Sequence, residues 1–472
     1  MLLHLSKVQN KINLFANVCM SLLLAFIVGL FLKSMYPQLG DDQPNDMTLF
    51  KNSQQRLSQL GTYYAPPNLA VKKKTSTHHI SKANLGTMTE LLKNKQVFSE
   101  QGGNLNTPFF NFMLSGFSHL ALIKLERFWF ILNTIAIFLA CLNYFKDTLF
   151  TTPYLLRLAF TTSLFCTPAV IDTLRMGQIT GLLLLLTSAL YHFNLRKHNT
   201  PAAIIIGLLA ALKLFFLFFW LILIWQKKWR ELLIASIALL IFSSLPLVSI
   251  NWSVYQDYFN LLNWKSSILY KSAFSLNASM LGFITRPQSS HYFGLLLGES
   301  RLIHLHTIGI ILSLALITIY FLQIKCINVH QENRYTDLGI AACLWIAPLG
   351  WAYYFPLLIP GLLYRFESLV YHKKARYQTK TYLLIVCYAC ISFTIPNTYL
   401  VGLHAWYFID THASKFLIFF MKNINGIGLL SYLLLQYNST IDADAAPKNI
   451  GLVCFMMLFP LFGWLSALTA WF

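Results

Sequence analysis

The chain contains repeated apolar runs of about 17–25 residues, and this feature restricts its possible folds more than any other. A helix of that length matches the hydrocarbon thickness of a bilayer. Because a membrane-spanning segment must satisfy its own backbone hydrogen bonds, helices are the expected form. Of the 472 residues, 56% are hydrophobic and only 11% are charged. The sequence therefore predicts an all-α integral membrane protein rather than a soluble one.

Basic residues predict how the segments are oriented. Lys7 and Lys11 precede a first apolar run over 13–32, which is too long for a cleaved signal peptide, so we expect a cytoplasmic N-terminus. The pattern predicts a polytopic transmembrane helical bundle over 1–472, a single domain with about 11–12 transmembrane segments. Two large extracytoplasmic loops are expected, over 34–126 and 251–302.

One apolar segment departs from this pattern. Residues 202–225 are about one span long, yet basic clusters flank both ends, at Arg196-Lys197 and Lys227-Lys228. A single crossing would place one cluster outside, against the positive-inside rule. We therefore predict a re-entrant pair of half-helices that bends near Lys213, a geometry that is allowed where the backbone is buried in protein. A lysine at membrane depth is a functional candidate, with a structural ion pair as the alternative.

The charge and the cysteines limit the partners. The net charge of +19 comes without a nucleic-acid-binding motif, so we expect membrane lipids and no nucleic acid. The eight cysteines show neither a disulfide framework nor metal-type spacing. Asp442-Ala443-Asp444 resembles the acidic triplet of nucleotide-sugar enzymes, but a lone triplet in a predicted cytoplasmic loop is expected by chance. The sequence predicts no metal and no cofactor.

Acidic residues are scarce, at 17 against 36 basic ones, yet Asp41, Asp42 and Asp46 fall within six positions. A helix from here to Leu60 would place Asp46 on one face with apolar residues: Leu49, Phe50, Leu57 and Leu60. Desolvation on that face would raise the pKa of the carboxyl toward that of a general base. In the alternative interpretation, Asn45 caps a surface helix and Asp46 complements its dipole.

Other polar and aromatic residues are predicted to reach the same extracytoplasmic face as this acid. They are Arg175, Gln178, Lys213, Asn277, Arg286, Trp351, Tyr353 and Tyr354. Such a set suits an anionic lipid headgroup that carries a sugar. A carboxylate can deprotonate an acceptor hydroxyl, and a cation can neutralise a phosphate leaving group.

Short motifs between about Leu39 and Leu363 follow one another in a recognisable order. They are Asn45–Phe50 with Gly61–Tyr64, Asn106-Thr107-Pro108, Gly177-Gln178, Leu209–Lys213 with Lys228-Trp229-Arg230, Asn277–Arg286 and Pro348–Trp351. In this order they resemble the polytopic GT-C glycosyltransferases, specifically the alpha-mannosyltransferase-like glycosyltransferase family 87. The chain departs from the family pattern at three positions. Thr180 stands where Asn is usual, Leu214 where Pro is common, and Tyr353 where His is typical.

The resemblance implies a GT-C fold and a hexosyltransferase. The donor would be a polyprenyl-phosphate sugar, expected to be mannose, and the acceptor a glycolipid or cell-envelope glycan. The reaction would occur at the extracytoplasmic face of a multi-pass protein in a bacterial cytoplasmic (inner) membrane, although Asn-x-Ser/Thr sites at Asn251 and Asn277 would also permit an ER protein. The alternatives are a transporter or flippase, or a polymerase or ligase, of lipid-linked glycans.

The resemblance also implies roles for individual residues. It favours Asp46 as the general base, with Asp42 as its rival because Pro44 could start the helix earlier. The donor phosphate would be bound by three cations: Lys213, Arg175 and Arg286. The sugar and acceptor would be contacted by Gln178, Asn277, Trp351, Tyr353 and Tyr354. Gln178 and Asn277 could instead hold the loops in place.

Overall fold

The computed structural model describes a large, discontinuous part of the chain. The described residues are 29, 46–64, 106–148, 168–263, 277–285, 289–291, 294–295, 304, 307–315, 317–318, 332–347, 350–361, 383, 386–387, 390 and 415–434. The first predicted span, 13–32, lies outside them except for residue 29, and so do most of the loop after Tyr64 and the acidic triplet at 442–444.

The described part is built mainly of helices, as the apolar runs predict. They are α1 (Asp46–Leu60), α2 (Pro108–Ser115), α3 (Leu122–Thr148), α4 (Pro168–Arg175), α5 (Thr180–Leu195), α6 (Asn199–Leu212), α7 (Phe218–Trp225), α8 (Trp229–Ser244), α9 (Ser253–Asn263), α10 (Met280–Thr285), α11 (Glu332–Ile346) and α12 (Lys415–Leu434). Short 3-10 helices cover Leu214–Leu217, Leu245–Val248 and Ala352–Leu358. One small antiparallel hairpin, β1 (Ser289–His291) with β2 (Gly294–Leu295), lies in the second predicted loop and was not expected.

The acidic helix ends where the sequence predicts. Helix α1 runs from Asp46 to Leu60, and Gly61 follows with a φ of 71° and a hydrogen bond from its N–H to the Leu57 carbonyl. Met47, Phe50 and Ser53 form its buried face. Leu60 falls on the face that the helical period predicts, but it is 62% exposed because it is the last residue of the helix.

The apolar segment with basic ends breaks at Lys213, as predicted. Its backbone is extended there, with φ −145° and ψ 115°, between α6 and the 3-10 turn that leads to α7. Ala202 near the start of α6 and Gln226 just after α7 line the same cavity. Helix α7 therefore runs back along α6, and the two segments form a hairpin.

Helix α8 starts at the same end of the hairpin and packs closely along α6. A Cβ atom on Gly207 would lie 2.5 Å from the carbonyl oxygen of Ala235 and 2.7 Å from the Cβ of Ala238. The two backbones can approach this closely only because all three residues are small, which is how membrane helices often pack. The hairpin and α8 consequently form one compact unit.

Two of the described helical segments, Leu122–Asn143 and Trp229–Val248, are long and apolar enough to cross a membrane. The second exposes large side chains along its length, at Leu233, Ile237, Leu240, Ile241 and Val248. An apolar surface of this length is unfavourable in water and suits contact with lipid. Shorter apolar helices cover Asn199–Leu212, Leu214–Trp225 and Tyr335–Ile346. The number of crossings and the GT-C arrangement stay predictions.

The hairpin structure predicts which side of the membrane each of its ends faces. We expect cysteines introduced at Thr200 and Lys228, in a background without reactive cysteines, to be labelled from the same side of the membrane, because both positions flank one cavity. A cysteine at the exposed His119 should be labelled from the opposite side, because His119 follows helix α2, whose capping residue Thr107 binds the Ala211 carbonyl at the Lys213 end of the hairpin. A single crossing by residues 199–228 would instead give opposite labelling of Thr200 and Lys228. The measurement is modification of intact cells by a membrane-impermeant thiol reagent.

Candidate functional site

The Gly177-Gln178 loop lies against the first turn of α1. Gly177 has a φ of 65°, and a Cβ on it would lie 3.1 Å from the Cγ of Met47. The indole N–H of Trp129 donates to the Gly177 carbonyl at 2.8 Å. The left-handed backbone favours glycine here, and a larger residue would also have to displace the Met47 side chain slightly. The loop is therefore packed beside Asp46, the first residue of α1.

Gln178 is held in this loop by its backbone. Its N–H donates to the carbonyl of Thr173 at 3.0 Å, and the residue is buried. Within the described part of the chain, its side-chain amide has no hydrogen-bond partner. Two residues later, the buried Thr180 hydroxyl likewise has no partner among the described residues. The Asn133 side-chain oxygen accepts from the Gly181 N–H at 3.0 Å and so supplies an amide next to Thr180.

Thr173 joins this loop to the aromatic segment that begins at Trp351. Its hydroxyl donates to the carbonyl of Tyr353 at 2.7 Å. Trp351 and Tyr353 stack with ring centroids 5.8 Å apart, and Tyr353 packs edge-to-face on Tyr354 at 4.9 Å. The three aromatic residues are thereby fixed next to the Gly177-Gln178 loop.

Lys213 lies at the break of the α6–α7 hairpin, next to the same aromatic segment. Its ammonium donates to the side-chain oxygen of Asn106 at 2.6 Å and lies 5.7 Å from the centroid of the Tyr354 ring. A cation over an aromatic face is attracted by the negative charge of that face. The amide oxygen and the ring together hold the charged end of a half-buried lysine.

The Asn106-Thr107-Pro108 motif binds the backbone at the point where α6 ends. The end of α6 leaves carbonyl groups without helical partners. The Thr107 hydroxyl donates to the Ala211 carbonyl at 2.7 Å. The same oxygen accepts from the Phe110 N–H at 3.3 Å and caps α2, while Pro108 takes the first helical position. One motif therefore caps one helix and satisfies the broken end of another.

The motif is also tied back to α1. The Tyr64 hydroxyl donates to the Asn106 carbonyl at 2.9 Å, and the Asn111 amide donates to the same carbonyl at 3.3 Å. The Gln54 amide of α1 donates to the Asn111 carbonyl at 3.0 Å. The helix that begins with Asp46 is thus connected to the residue that holds Lys213.

These contacts close on themselves, and we call the closed set the contact ring. It passes from α1 through Gly177, Thr173, Tyr353, Tyr354, Lys213 and Asn106 and returns to α1 through Tyr64 and Asn111. The ring connects the segments that carry Gln178, Lys213, Tyr353 and Tyr354 to helix α1, whose first residue is Asp46. Its members are far apart in sequence, so only the tertiary fold assembles it.

Asn277 joins two loops beside this ring. Its side-chain oxygen accepts from the N–H groups of Gly350, at 2.9 Å, and Ser279, at 3.2 Å. The Ala278 N–H donates to the Gly350 carbonyl at 2.8 Å, and Asn277 pairs with Trp351 in an isolated bridge. Asn277 therefore holds the loops together, which is one of its two predicted roles. Sugar contact by its side chain stays a prediction.

Four tyrosines pack between the end of α1 and α9: Tyr63, Tyr64, Tyr255 and Tyr258. Burial raises the pKa of the Tyr63 and Tyr255 hydroxyls to about 12, and that of Tyr64 well above its ordinary value. Burial raises the pKa of Tyr258 as well, so it reinforces the neutral form that all four phenols already have near pH 7. Leu214, the neighbour of Lys213, packs against them. The second predicted loop thus supports the Lys213 segment through an apolar contact.

The remaining predicted residues are described in part or not at all. Asp42 and Arg286 lie outside the described residues. Asp46 and Arg175 are placed by their backbones, as the first residue of α1 and the last of α4, and their side chains lie outside the described part.

Sequence reasoning missed several residues of the contact ring: Tyr64, Thr107, Asn111 and Thr173. The quoted motifs contain Tyr64 and Thr107, but no pattern in the sequence specifies the carbonyl groups that they bind.

The chain was also compared with known protein families. The model of glycosyltransferase family 87 matches residues 104–355, more than half of the chain. The protein therefore belongs to glycosyltransferase family 87 and is a glycosyltransferase that acts on a sugar donor and a glycan acceptor. Enzymes of this family are membrane proteins, in agreement with the two membrane-capable segments. The match begins after α1 and so does not include Asp46. No curated protein matches the chain.

The two hydrogen bonds that the Asn277 side chain accepts lead to a prediction about the thermal stability of the protein. Asn277→Ala removes the acceptor of two buried N–H groups, and each unsatisfied group costs roughly 1–3 kcal/mol. We expect a clearly lower unfolding temperature of the purified protein in detergent. Asn143→Ala is the control, because Asn143 is half-buried and its amide donates to Ser188 at 3.3 Å. An equal drop in unfolding temperature for both variants would contradict the role of Asn277 in holding the two loops together.

Proposed function

We propose that this family 87 enzyme transfers a hexose, with mannose as the expected sugar, from a polyprenyl-phosphate donor. The acceptor would be a lipid-linked or cell-envelope glycan at the extracytoplasmic face of a bacterial cytoplasmic membrane, which the protein crosses many times. The observation that carries the proposal is the position of Lys213 within the contact ring. A lysine there lies at the break of an apolar hairpin, where a membrane-bound phosphate can approach it.

Lys213 would bind the donor phosphate. The Asn106 oxygen at 2.6 Å and the Tyr354 ring restrict the position of its ammonium before any donor arrives. A pre-positioned cation stabilises the charge that develops on a leaving phosphate without further reorganisation. Low dielectric around a half-buried residue strengthens this interaction. Arg175, at the end of α4 and two residues before Gly177, and Arg286 are the further candidates for phosphate contact.

The aromatic segment and Gln178 would contact the sugar and the acceptor. Aromatic faces bind the apolar faces of sugars, and amides bind their hydroxyl groups. Trp351, Tyr353 and Tyr354 are packed on one another next to the ring, so their orientation is fixed. Because a tyrosine hydroxyl has an ordinary pKa near 10, Tyr353 cannot supply the protonatable group that histidine gives at this position in the family.

Asp46 would be the general base of an inverting transfer. The acceptor hydroxyl attacks the anomeric carbon, its proton goes to the carboxylate, and the bond to the phosphate oxygen breaks. Polyprenyl phosphate then leaves with the electron pair of that bond. The packing of Gly177 against Met47 supports this assignment, because it places the start of α1 beside Gln178. Membership of a glycosyltransferase family favours group transfer over transport of a lipid-linked glycan.

The role of Lys213 is tested by Lys213→Ala. We expect binding of a polyprenyl-phosphate hexose to weaken by about tenfold or more, since a hydrogen bond to a charged group is worth about 1.5–3 kcal/mol. Acceptor binding should change much less. Both are measured by titration of purified protein in detergent.

The matched control for Lys213 is Lys51→Ala. Lys51 is also half-buried, but its ammonium donates to the Ser118 and Leu120 carbonyls, which are not part of the contact ring. Its removal should lower the unfolding temperature and leave donor affinity unchanged. Unaltered donor affinity in the Lys213 variant would return Lys213 to a purely structural role.

The base is tested by Asp46→Asn, which keeps the shape of the side chain and removes its basicity. Turnover of labelled polyprenyl-phosphate hexose with extracted lipid acceptors should fall by roughly 10²–10⁴-fold while substrate binding is retained. Asp42→Asn separates the two candidate acids. If it abolishes transfer and Asp46→Asn does not, the base lies one turn earlier in the sequence. Asp41→Asn should be mild. Full activity in both the Asp42 and the Asp46 variants would refute a carboxylate mechanism.

A further inference from the structure

Two turns at the end of the hairpin remote from Lys213 have the same backbone structure. One connects α5 to α6 and the other connects α7 to α8. In the first, the His198 N–H donates to the Phe193 carbonyl at 2.8 Å; in the second, the Lys228 N–H donates to the Leu223 carbonyl at 2.9 Å. The residue before each donor is a lysine with left-handed φ, 57° at Lys197 and 56° at Lys227.

This pattern is the Schellman ending of a helix, in which the left-handed position is usually glycine. A lysine there is strained by its Cβ atom, and nothing in the backbone geometry favours it over glycine. The side chain itself is therefore the feature that both turns share beyond their conformation. Both turns therefore present an ammonium group at equivalent backbone positions.

The two turns lie side by side. Asn194 and Asn199, which flank the first turn, line the same cavity as Gln226 and Lys228 of the second. The two turns carry five lysine or arginine residues and one histidine. We call this set the cationic turn pair: Arg196, Lys197, His198, Lys227, Lys228 and Arg230. All of them are exposed except the half-buried Lys228. Glu231, which also lines the cavity, is half-buried and offsets one of these charges.

The cationic turn pair lies at one border of an apolar surface. Trp229 is 60% exposed next to it, and Leu233, Ile237 and Leu240 continue the exposed apolar face along α8. Tryptophan and basic residues at the end of such a face are typical of the level of lipid headgroups. Clusters of lysine and arginine at this level attract anionic lipids.

We propose that the cationic turn pair binds the phosphate groups of anionic phospholipids, in the leaflet opposite to the candidate functional site. The two left-handed lysines are the defining contacts, and the neighbouring cations add to the attraction. This site lies at the other end of the hairpin from Lys213, and the proposal does not depend on the proposed transfer reaction.

The test uses the full-length protein in a neutral detergent and the double variant Lys197→Gly/Lys227→Gly. Glycine fits the left-handed backbone better than lysine, so the variant should unfold at the same or a higher temperature in detergent alone. Titration with phosphatidylglycerol in mixed micelles should show an affinity lower by roughly 30-fold than for the original protein, from about fivefold per lysine charge. Phosphatidylcholine should bind both proteins equally.

Lys124→Gln is the matched control, since Lys124 is exposed near the start of α3, in the turn before Trp129, which binds the Gly177 carbonyl of the candidate site. It should leave the affinity for phosphatidylglycerol unchanged. Inorganic phosphate at the same concentration should not raise the unfolding temperature. An unchanged affinity in the double variant, an equal loss in Lys124→Gln, or equal stabilisation by free phosphate would each overturn the proposal.

Discussion

The described structure depends on the hydrogen-bond partners of the polar groups at the break, which are the carbonyl groups at the end of α6 and the Lys213 ammonium. A helix that stops inside an apolar segment leaves carbonyl groups and a lysine ammonium away from bulk water, which is costly unless each finds a partner. The Asn106-Thr107 pair provides both partners, with the amide oxygen on the ammonium and the hydroxyl on the Ala211 carbonyl. Because this pair comes from the end of the first predicted loop, the docking of that loop stabilises the bend of the hairpin.

The contact ring extends this constraint to the rest of the candidate site. Helix α1 is held at two separate places, by Gly177 near its start and through Gln54 and Tyr64 toward its end. The first connection leads to the Gly177-Gln178 loop and the second to Lys213. The start of α1 therefore has a fixed position relative to the Lys213 ammonium. Such fixed geometry is what a transfer reaction between two bound substrates requires.

The two ends of the α6–α7 hairpin differ in chemistry. At the bend, Lys213 lies among amide and aromatic partners. At the open end, two Schellman turns present exposed cations next to the apolar face of α8. Because Gly207 and Ala235 let α6 and α8 pack with their backbones nearly touching, the ends are connected by a rigid unit. The proposed contact with the donor phosphate and the proposed contact with anionic lipid therefore lie at opposite ends of one element.

The sequence by itself determined the class of the protein and several of its local features. Apolar runs and scarce charges predicted helices for a membrane, basic clusters on both sides of one run predicted the bend at Lys213, and the order of motifs identified the family. These features follow from local composition and spacing, because helix formation and membrane insertion depend on them. The end of helix α1 at Leu60 was likewise predicted from the local sequence.

Only the tertiary structure decided which partners these residues take. The sequence left Asn277 between sugar binding and loop pinning, and the fold placed the Gly350 and Ser279 N–H groups on its oxygen. No pattern in the sequence indicated that Thr173 binds the Tyr353 carbonyl or that Asn106 binds the Lys213 ammonium. Helical spacing placed Leu60 on the same face as Phe50, yet Leu60 is exposed, because burial depends on what packs against a helix as well as on its period. Backbone carbonyl groups are the same in every residue, so a sequence pattern cannot specify which of them a side chain will reach.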